Sequence, residues 1–380
     1  MPIEEIKKVE IREQIARLAL DPRYTVTEVA ERFGVSRPTV RLWRERFLNE
    51  GRSGLSDRSH APHASPLQTE AWIEELILED RKALSIGSKK ILRRLQDDFP
   101  GVEFPSRATI DNILARHGLV KPQRKRTRTR TPFARRYEAT EPAELTTIDF
   151  KGEFRLRNGR YCYPLTIVDS FSRYILACES LPSTELSGAW KVIQRVFREH
   201  GLPKAMLSDN GPPFGAAGHA RLSSLSVRLM KLGVQPVFID PGRPQQNGSH
   251  ERMHSDLKAR ACRPPERTFR DQQIRFDEFI EFYNEQRPHE GIHLDRPARR
   301  FSHSPRPYPD RFKAFHYPRH FEVRLVSSSG TFKWKGQQIF IGQPLASQHI
   351  GFEPRDEAIW DIHFCNFVIG KFDERCGQVI

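Results

Sequence analysis

The chain has 380 residues, 37% hydrophobic and 29% charged, with a formal net charge of +14 and a pI near 9.7; that length suggests two to four domains, and the charge points to a polyanionic partner. No run of about 18 apolar residues exists to span a membrane, and the start, Met1-Pro2-Ile3-Glu4-Glu5, lacks the apolar stretch of a secretory signal. Five cysteines without a CxxC pair suggest neither a disulfide framework nor a zinc site, which fits a reducing cytosol.

Residues 4–20 carry Ile6, Val9, Ile11, Ile15, Leu18 and Leu20 near helical spacing, and Asp21-Pro22 ends the run. A second helix is expected from Thr27 as N-cap, with Val29, Ala30 and Phe33 inward. Gly34 takes a tight turn, and Ser36 caps a third helix that buries Val40, Trp43 and Phe47. Helix, glycine turn and helix make a helix-turn-helix over residues 1–55. Its Arg37, Thr39, Arg41 and Arg44 suit base edges and phosphates in a major groove. The plainer alternative is a three-helix bundle with a solvated basic face.

Residues 51–66 are rich in Gly, Ser, Pro and His and read as a linker. A second helical unit follows over residues 66–120. One helix holds Trp72, Ile73, Leu76 and Ile77, and the next buries Ile91, Leu92 and Leu95. A third starts at Ser106 as N-cap and ends at His117-Gly118. Read as a second helix-turn-helix, winged-helix-like, it offers Arg107 and Thr109 to DNA; packing alone is its rival. Residues 121–140 form a basic linker. The run Lys121 to Arg136 holds Arg124, Lys125, Arg126, Arg128 and Arg130 and no acid. Self-repulsion keeps such a tether extended, and beside DNA it would follow phosphates.

From Glu144 the pattern turns to strands. Leu145 to Phe150, Tyr161 to Asp169 and Tyr174 to Glu179 are separated by short turns, which predicts an antiparallel meander. A helix over about residues 185–200, a strand ending at Asp209, a helix over about 220–232, a strand over 234–239 and two final helices complete residues 141–300. That order gives a mixed sheet flanked by helices. Residues 290–315 are Pro- and Arg-rich. Short strands 8 to 12 residues apart or closer then predict a small β-barrel over 315–380. Its Lys333, Trp334 and Lys335 could meet DNA or be ordinary surface and core.

Three acids stand out. Asp149 lies inside an apolar strand, where an unsatisfied carboxylate would cost several kcal/mol. Asp209 ends another strand at a Gly/Pro turn, and Glu251 opens a helix after the loop Pro244-Gln245-Gln246-Asn247-Gly248. Two divalent cations about 4 Å apart can drive an in-line phosphoryl displacement, and hard cations take a few oxygen ligands. Each acid alone has a bland reading as a turn residue or a helix-start residue.

Four motifs in order, Thr147-Ile148-Asp149-Phe150, Val168-Asp169-Ser170-Phe171-Ser172-Arg173, Ser208-Asp209-Asn210-Gly211-Pro212-Pro213-Phe214 and Pro244-Gln245-Gln246-Asn247-Gly248-Ser249-His250-Glu251-Arg252, resemble the integrase core of insertion-sequence transposases and retroviral integrases. The resemblance spans about residues 140–300, and the flanking units are similar to those of the same transposases. It implies an RNase H-like fold in a multidomain α and α/β chain. It implies a triad of Asp149, Asp209 and Glu251, Mg²⁺ or Mn²⁺ with two ions per site, and a DNA-contacting Lys258. It further implies cleavage at the ends of an insertion element and 3′-hydroxyl strand transfer. The implied partners are the element's terminal inverted repeats and target DNA, with a homodimer or larger assembly on DNA, no membrane, and a bacterial, cytoplasmic, nucleoid-associated setting. Glu251 follows Asp209 by 42 positions, more than the family's usual spacing; a longer loop near residues 215–224 would explain it, and Asp240 is the nearby rival. A DNA-binding regulator with an inactive core is the alternative. An RNA–DNA hybrid nuclease fits less well, because A-form grooves admit helices poorly.

Overall fold

The computed structural model describes residues 3–58, 68–120, 139–215, 222–240, 243–312 and 314–380. They form two compact units, Met1–Thr69 and Glu70–Ile380.

The first unit holds α1 (Ile3–Leu20), α2 (Val26–Phe33) and α3 (Arg37–Glu50) around Ile15, Val29, Ala30 and Val40. Its turn is built as the sequence predicts: Gly34 sits at φ +64 and the Ser36 side chain caps α3. The cap of α2 is Thr25, not Thr27. Thr25 accepts from the Glu28 amide while the Glu28 carboxylate accepts from Thr25 N, a reciprocal box that a start at Thr27 would lack.

The second unit opens with α4 (Ala71–Leu84), α5 (Ser88–Asp98) and α6 (Arg107–Arg116). Its sheet contains β1 (Leu145–Phe150), β2 (Phe154–Arg155), β3 (Tyr161–Asp169), β4 (Ile175–Leu181), β5 (Ala205–Ser208) and β6 (Gln235–Phe238). β1, β3 and β4 are the expected antiparallel meander, short β2 pairs the start of β3, and β5 and β6 extend the sheet in parallel beyond β1. The helices are α7 (Leu186–His200), α8 (Ser224–Lys231), α9 (Gly248–Arg260), α10 (Phe269–Glu281) with a π-helical turn over Phe282–Gln286, and short α11 (Pro297–Arg300).

The pleat sorts the sheet's side chains, since alternate residues face opposite sides. Ile148, Leu165 and Ile167 pack with Val192, Ile193 and Phe197 of α7. Val168, Ile175 and Cys178 pack on the other face with Met253, Leu257, Phe276 and Phe279 of α9 and α10. Ile77, Ile91 and Ile110 of α4–α6 belong to that same cluster, so the second helical unit shares a core with the sheet's α9 face.

The C-terminal strands are β7 (Glu322–Leu325), β8 (Thr331–Trp334), β9 (Gln337–Phe340), β10 (His349–Asp356), β11 (Ile359–Phe364), β12 (Phe367–Asp373) and β13 (Gln378–Val379). Of the small barrel expected there, a half-barrel sheet forms. An open sheet, β13-β12-β11-β10-β7, stands with a separate β8–β9 hairpin. Phe332 and Trp334 of the hairpin pack on Phe352 and Phe372 of the sheet. Val227 and Met230 of α8 complete that core. Trp334 is thus a core residue and Lys335 is paired with Glu374, while Lys333 is exposed.

Candidate active site and nucleic-acid interface

β1 and β5 run parallel with Thr147 opposite Leu207. Two residues further along each strand lie Asp149 and Asp209, so the register brings the two carboxyl-bearing residues side by side where β5 ends. Asp149 is pushed up to about 7, first by burial and then by the charges of Asp209 and Glu251. Asp209 is also raised, by burial, against a backbone hydrogen bond from Gly211. One Asp209 oxygen, Oδ1, is buried with no hydrogen-bond partner. Gly211 wraps this carboxylate closely; a Cβ there would lie 3.3 Å from Asp209 Oδ2. Asn210 Nδ2 donates to Ile239 O at 2.8 Å and ties the loops after β5 and β6 together.

Glu251 stands in the first turn of α9 and is exposed. The helix buries His250, Met253 and Leu257, which leaves Glu251, Ser255 and Lys258 on its exposed side. Among the described residues, no three His, Cys, Asp or Glu side chains gather closely enough to hold a metal ion. Asp240, the rival third acid, accepts from Gln246 Nε2 at 2.8 Å and its amide donates to Gln246 Oε1 at 2.7 Å, which fits it into the loop before α9. Asp169 of the second motif is fully buried and holds the chain instead. It accepts from Ala143 N, Ser172 N and Ser172 Oγ, at 2.9, 2.8 and 2.5 Å.

Sequence reasoning missed a polar network under the acids. Thr166 faces Asp149 across the β1–β3 ladder and donates to Asp149 O at 3.0 Å. Its hydroxyl also meets His250 Nε2 at 2.6 Å and His254 Nε2 at 2.7 Å. Thr147 Oγ1 lies 2.9 Å from His250 Nδ1. A hydroxyl has one proton to give, and Thr166 spends it on the carbonyl, so both ring Nε2 atoms must donate. Burial, with His254 nearby, holds the His250 pKa well down. His254 is likewise lowered, to about 4, by burial and then Lys151. Its remaining Nδ1 lies 3.9 Å from Asp149 Oδ2. The i, i+4 histidines on one helix, and Thr147 two residues before Asp149 on the same strand, were the signal for it.

Of the expected DNA contacts, Arg37 and Arg41 are exposed on α3, while Arg44 is half-buried. Thr39 Oγ1 lies 2.8 Å from Ser36 Oγ, and Thr109 Oγ1 lies 3.1 Å from Ser106 Oγ. Arg107 is exposed at the start of α6. Arg124, Lys125, Arg126, Arg128 and Arg130 lie outside the described residues. Among the described residues, no helix is long and apolar enough to cross a membrane.

Residues 139–244 and 232–297 match integrase core domain families. Residues 7–56 and 39–114 match homeodomain-like domains. The chain is 34% identical over 131 residues to a Pol polyprotein of Feline endogenous virus ECE1, covering 34% of this chain and 12% of that one. It is 28% identical over 160 residues to an uncharacterized protein of insertion element IS407 from Burkholderia multivorans, covering 41% of this chain and 54% of that one. Among solved structures, a simian T-cell lymphotropic virus intasome in complex with PP2A regulatory subunit B56 gamma overlays at 15% identity, covering 77% of this chain and 97% of that one, with a TM-score of 0.38. The chain thus carries homeodomain-like segments followed by an integrase core domain, and it spans only about half or less of the length of these curated relatives.

Proposed function

We propose that the chain binds the terminal sequences of an insertion element, cuts at its ends and joins the freed 3′-hydroxyls to target DNA. The observation that carries this reading is the strand register that sets Asp149 beside Asp209, with Glu251 bearing electrostatically on Asp149. The donor set fits a hard divalent cation, Mg²⁺ or Mn²⁺. It is all oxygen, one Asp209 oxygen is buried without a partner, and positive charge would relieve the repulsion on Asp149. Asp149, Asp209 and Glu251 would hold it, Glu251 by turning its exposed side chain inward. When bound, a pair of such ions stabilises both the attacking and the leaving oxygen of an in-line displacement.

The chain's own residues do the positioning. Asp149 stands on the sheet and Asp209 directly after β5, and Thr166 with its histidines fixes α9 against β1. Lys258, two turns beyond Glu251 on the exposed side of α9, suits a DNA phosphate. In the first step the oxygen of water bonds to phosphorus as the P–O3′ bond breaks, leaving a 3′-hydroxyl and a 5′-phosphate. In the second, that hydroxyl's oxygen bonds to a target phosphorus as the target P–O3′ bond breaks. Bond count is conserved in the exchange, so no nucleotide triphosphate is consumed. Arg37, Thr39, Arg41 and Arg44 read duplex DNA from α3, with Arg107 and Thr109 in support. Joining two ends in one event needs two copies of the site, hence a homodimer or larger assembly on DNA.

Incubated with a duplex bearing the element's end in Mg²⁺ or Mn²⁺, the full chain should nick and join. Asp149→Asn, Asp209→Asn and Glu251→Gln should each lose more than about 100-fold in rate while binding DNA like wild type in EDTA. An active Glu251→Gln protein would mean that the third ligand lies elsewhere. Binding by wild type without nicking in either metal would make the chain a DNA-binding regulator with a silent core.

A further inference from the structure

A second basic feature lies away from the three acids, where α5 meets α9. A cleft of about 650 Å³ opens there. Five cations line it, Lys89, Lys90, Arg107, Arg260 and Arg287, against two acids, Asp256 and Glu290. Asp256 is already paired with Arg287. Arg260 is fixed in the wall, donating to Leu84 O at 2.6 Å and Ala83 O at 3.2 Å with its guanidinium 3.6 Å from the Phe282 ring; none of these neighbours cancels its charge. The Lys90 side chain is half-buried and makes no hydrogen bond or direct ion pair among the described residues, with Asp256 and Glu290 acting on it only through space. Burial, and next Arg287, push its pKa down to about 8. A half-buried ammonium without a direct ion pair is under-compensated in the free protein.

The backbone adds to the same field. α5 has Gly87 as its N-cap, with no side-chain cap and no acid in its first turn; the Lys90 amide donates to Gly87 O, which leaves the positive end of the helix without a negative side chain of its own. A Cβ at Gly87 would meet nothing within 4 Å, so the approach is open. Arg107, one of the cations expected from sequence to meet DNA, comes in from the start of α6. Arg260 lies nine residues beyond Glu251 on α9, about 14 Å along the axis. That is roughly four nucleotide steps of a duplex, so a strand held at the acids and running along α9 would come within reach of the cleft.

We propose that this cleft takes the phosphodiester backbone of duplex DNA, with Lys90 as its central contact. The proposal rests on the reading of the chain as a DNA-acting protein and adds where the duplex runs. Lys90 binds and positions; it takes no part in bond making.

The test is the salt dependence of binding by the full chain to a labelled duplex, followed in EDTA so that no cleavage intervenes. Between about 50 and 200 mM salt, Lys90→Gln should flatten the slope of log K against log[salt] by about 0.9 and weaken binding severalfold. Lys90→Arg should keep the wild-type slope. Lys191→Gln removes the same charge from α7 on the sheet's other face, where the side chain is exposed, and should leave the slope alone. A Lys90→Gln slope equal to wild type, or a loss matched by Lys191→Gln, overturns the cleft. Wild type without any salt-dependent binding overturns both the cleft and the DNA reading. A flattened slope in a protein that never nicks DNA keeps the cleft and removes only the catalytic reading.

Discussion

Asp149 is the residue on which the site's electrostatics turn. Its carboxyl stands at about 7 because it is buried and because Asp209 and Glu251 oppose a further negative charge. The fold therefore favours the protonated form. For a carboxyl raised in the folded state, the stabilisation is complete below the unfolded pKa near 4 and disappears as pH climbs through about 7. Without metal, the protein should melt lower at about pH 8 than at about pH 5.5 on account of this group. Asp149→Asn should raise the melting temperature more at the higher pH than at the lower. Adding Mg²⁺ at the higher pH should stabilise wild type and not the variant, since an ion that binds only the folded site adds to stability by mass action. A variant that melts with the same pH profile as wild type would remove the carboxyl repulsion from this account. Asp149 itself was legible in the sequence, as an acid within an apolar strand. Thr166 and His250 were not, because their meaning depends on the register that puts Thr166 opposite Asp149 and on the face of α9 that turns inward.

At the scale of elements, what was legible tracks how local the signal is. The meander β1, β3 and β4, the caps Ser36 and Ser106, and the helices from α7 to α10 each follow from a few neighbouring residues. The α2 start was placed two residues late because Thr25 and Thr27 compete, and only Glu28, three residues after Thr25, decides between them. β10 is hard to read from sequence for the opposite reason. Gly351 and Pro354 break its strand pattern locally, yet the glycine is demanded by a distant contact. A Cβ at Gly351 would lie 2.4 Å from the Tyr317 ring and 2.8 Å from that of Phe321. Tyr317 is fixed there by its hydroxyl, which donates to His349 O and accepts from Cys365 N. Gly351→Ala must displace that ring, so it should destabilise the C-terminal sheet by about 1–3 kcal/mol. Thermal melting of the full chain reads this; an unchanged melting temperature would show that the ring moves freely. Whether the sheet closes into a barrel was likewise beyond strand spacing, because closure is decided by pairing between β7 and β13, which are far apart in sequence.

For the whole molecule, the partition of stability decides which pieces can be studied alone. The sequence places both helical units before the basic stretch, which invites removal of residues 1–120 in one cut. The structure argues for a cut near residue 69. Residues 1–69 are one compact unit with their own apolar centre at Ile15, Val29, Ala30 and Val40. α4–α6 instead share a core with α9 and α10. Polar ties reinforce that seam: Arg299 Nη1 donates to Asp97 Oδ2 at 2.8 Å, Arg296 pairs with Asp98, and Arg260 donates to Leu84 O. Removing 1–120 would expose the sheet-side apolar surface that Ile77, Ile91 and Ile110 cover, and fully burying each such side chain contributes about 1.5–3 kcal/mol. The fragment 70–380 should therefore unfold cooperatively and stay soluble, whereas 121–380 should aggregate or melt well below it. In binding assays 70–380 should retain salt-sensitive affinity for any duplex through its cations and lose the preference for the element's end proposed for α3. Calorimetry on the two fragments and competition between end and unrelated duplexes check these outcomes. A stable, soluble 121–380 would show that α4–α6 are dispensable to the core, and an undiminished preference for the end by 70–380 would move sequence recognition out of α3.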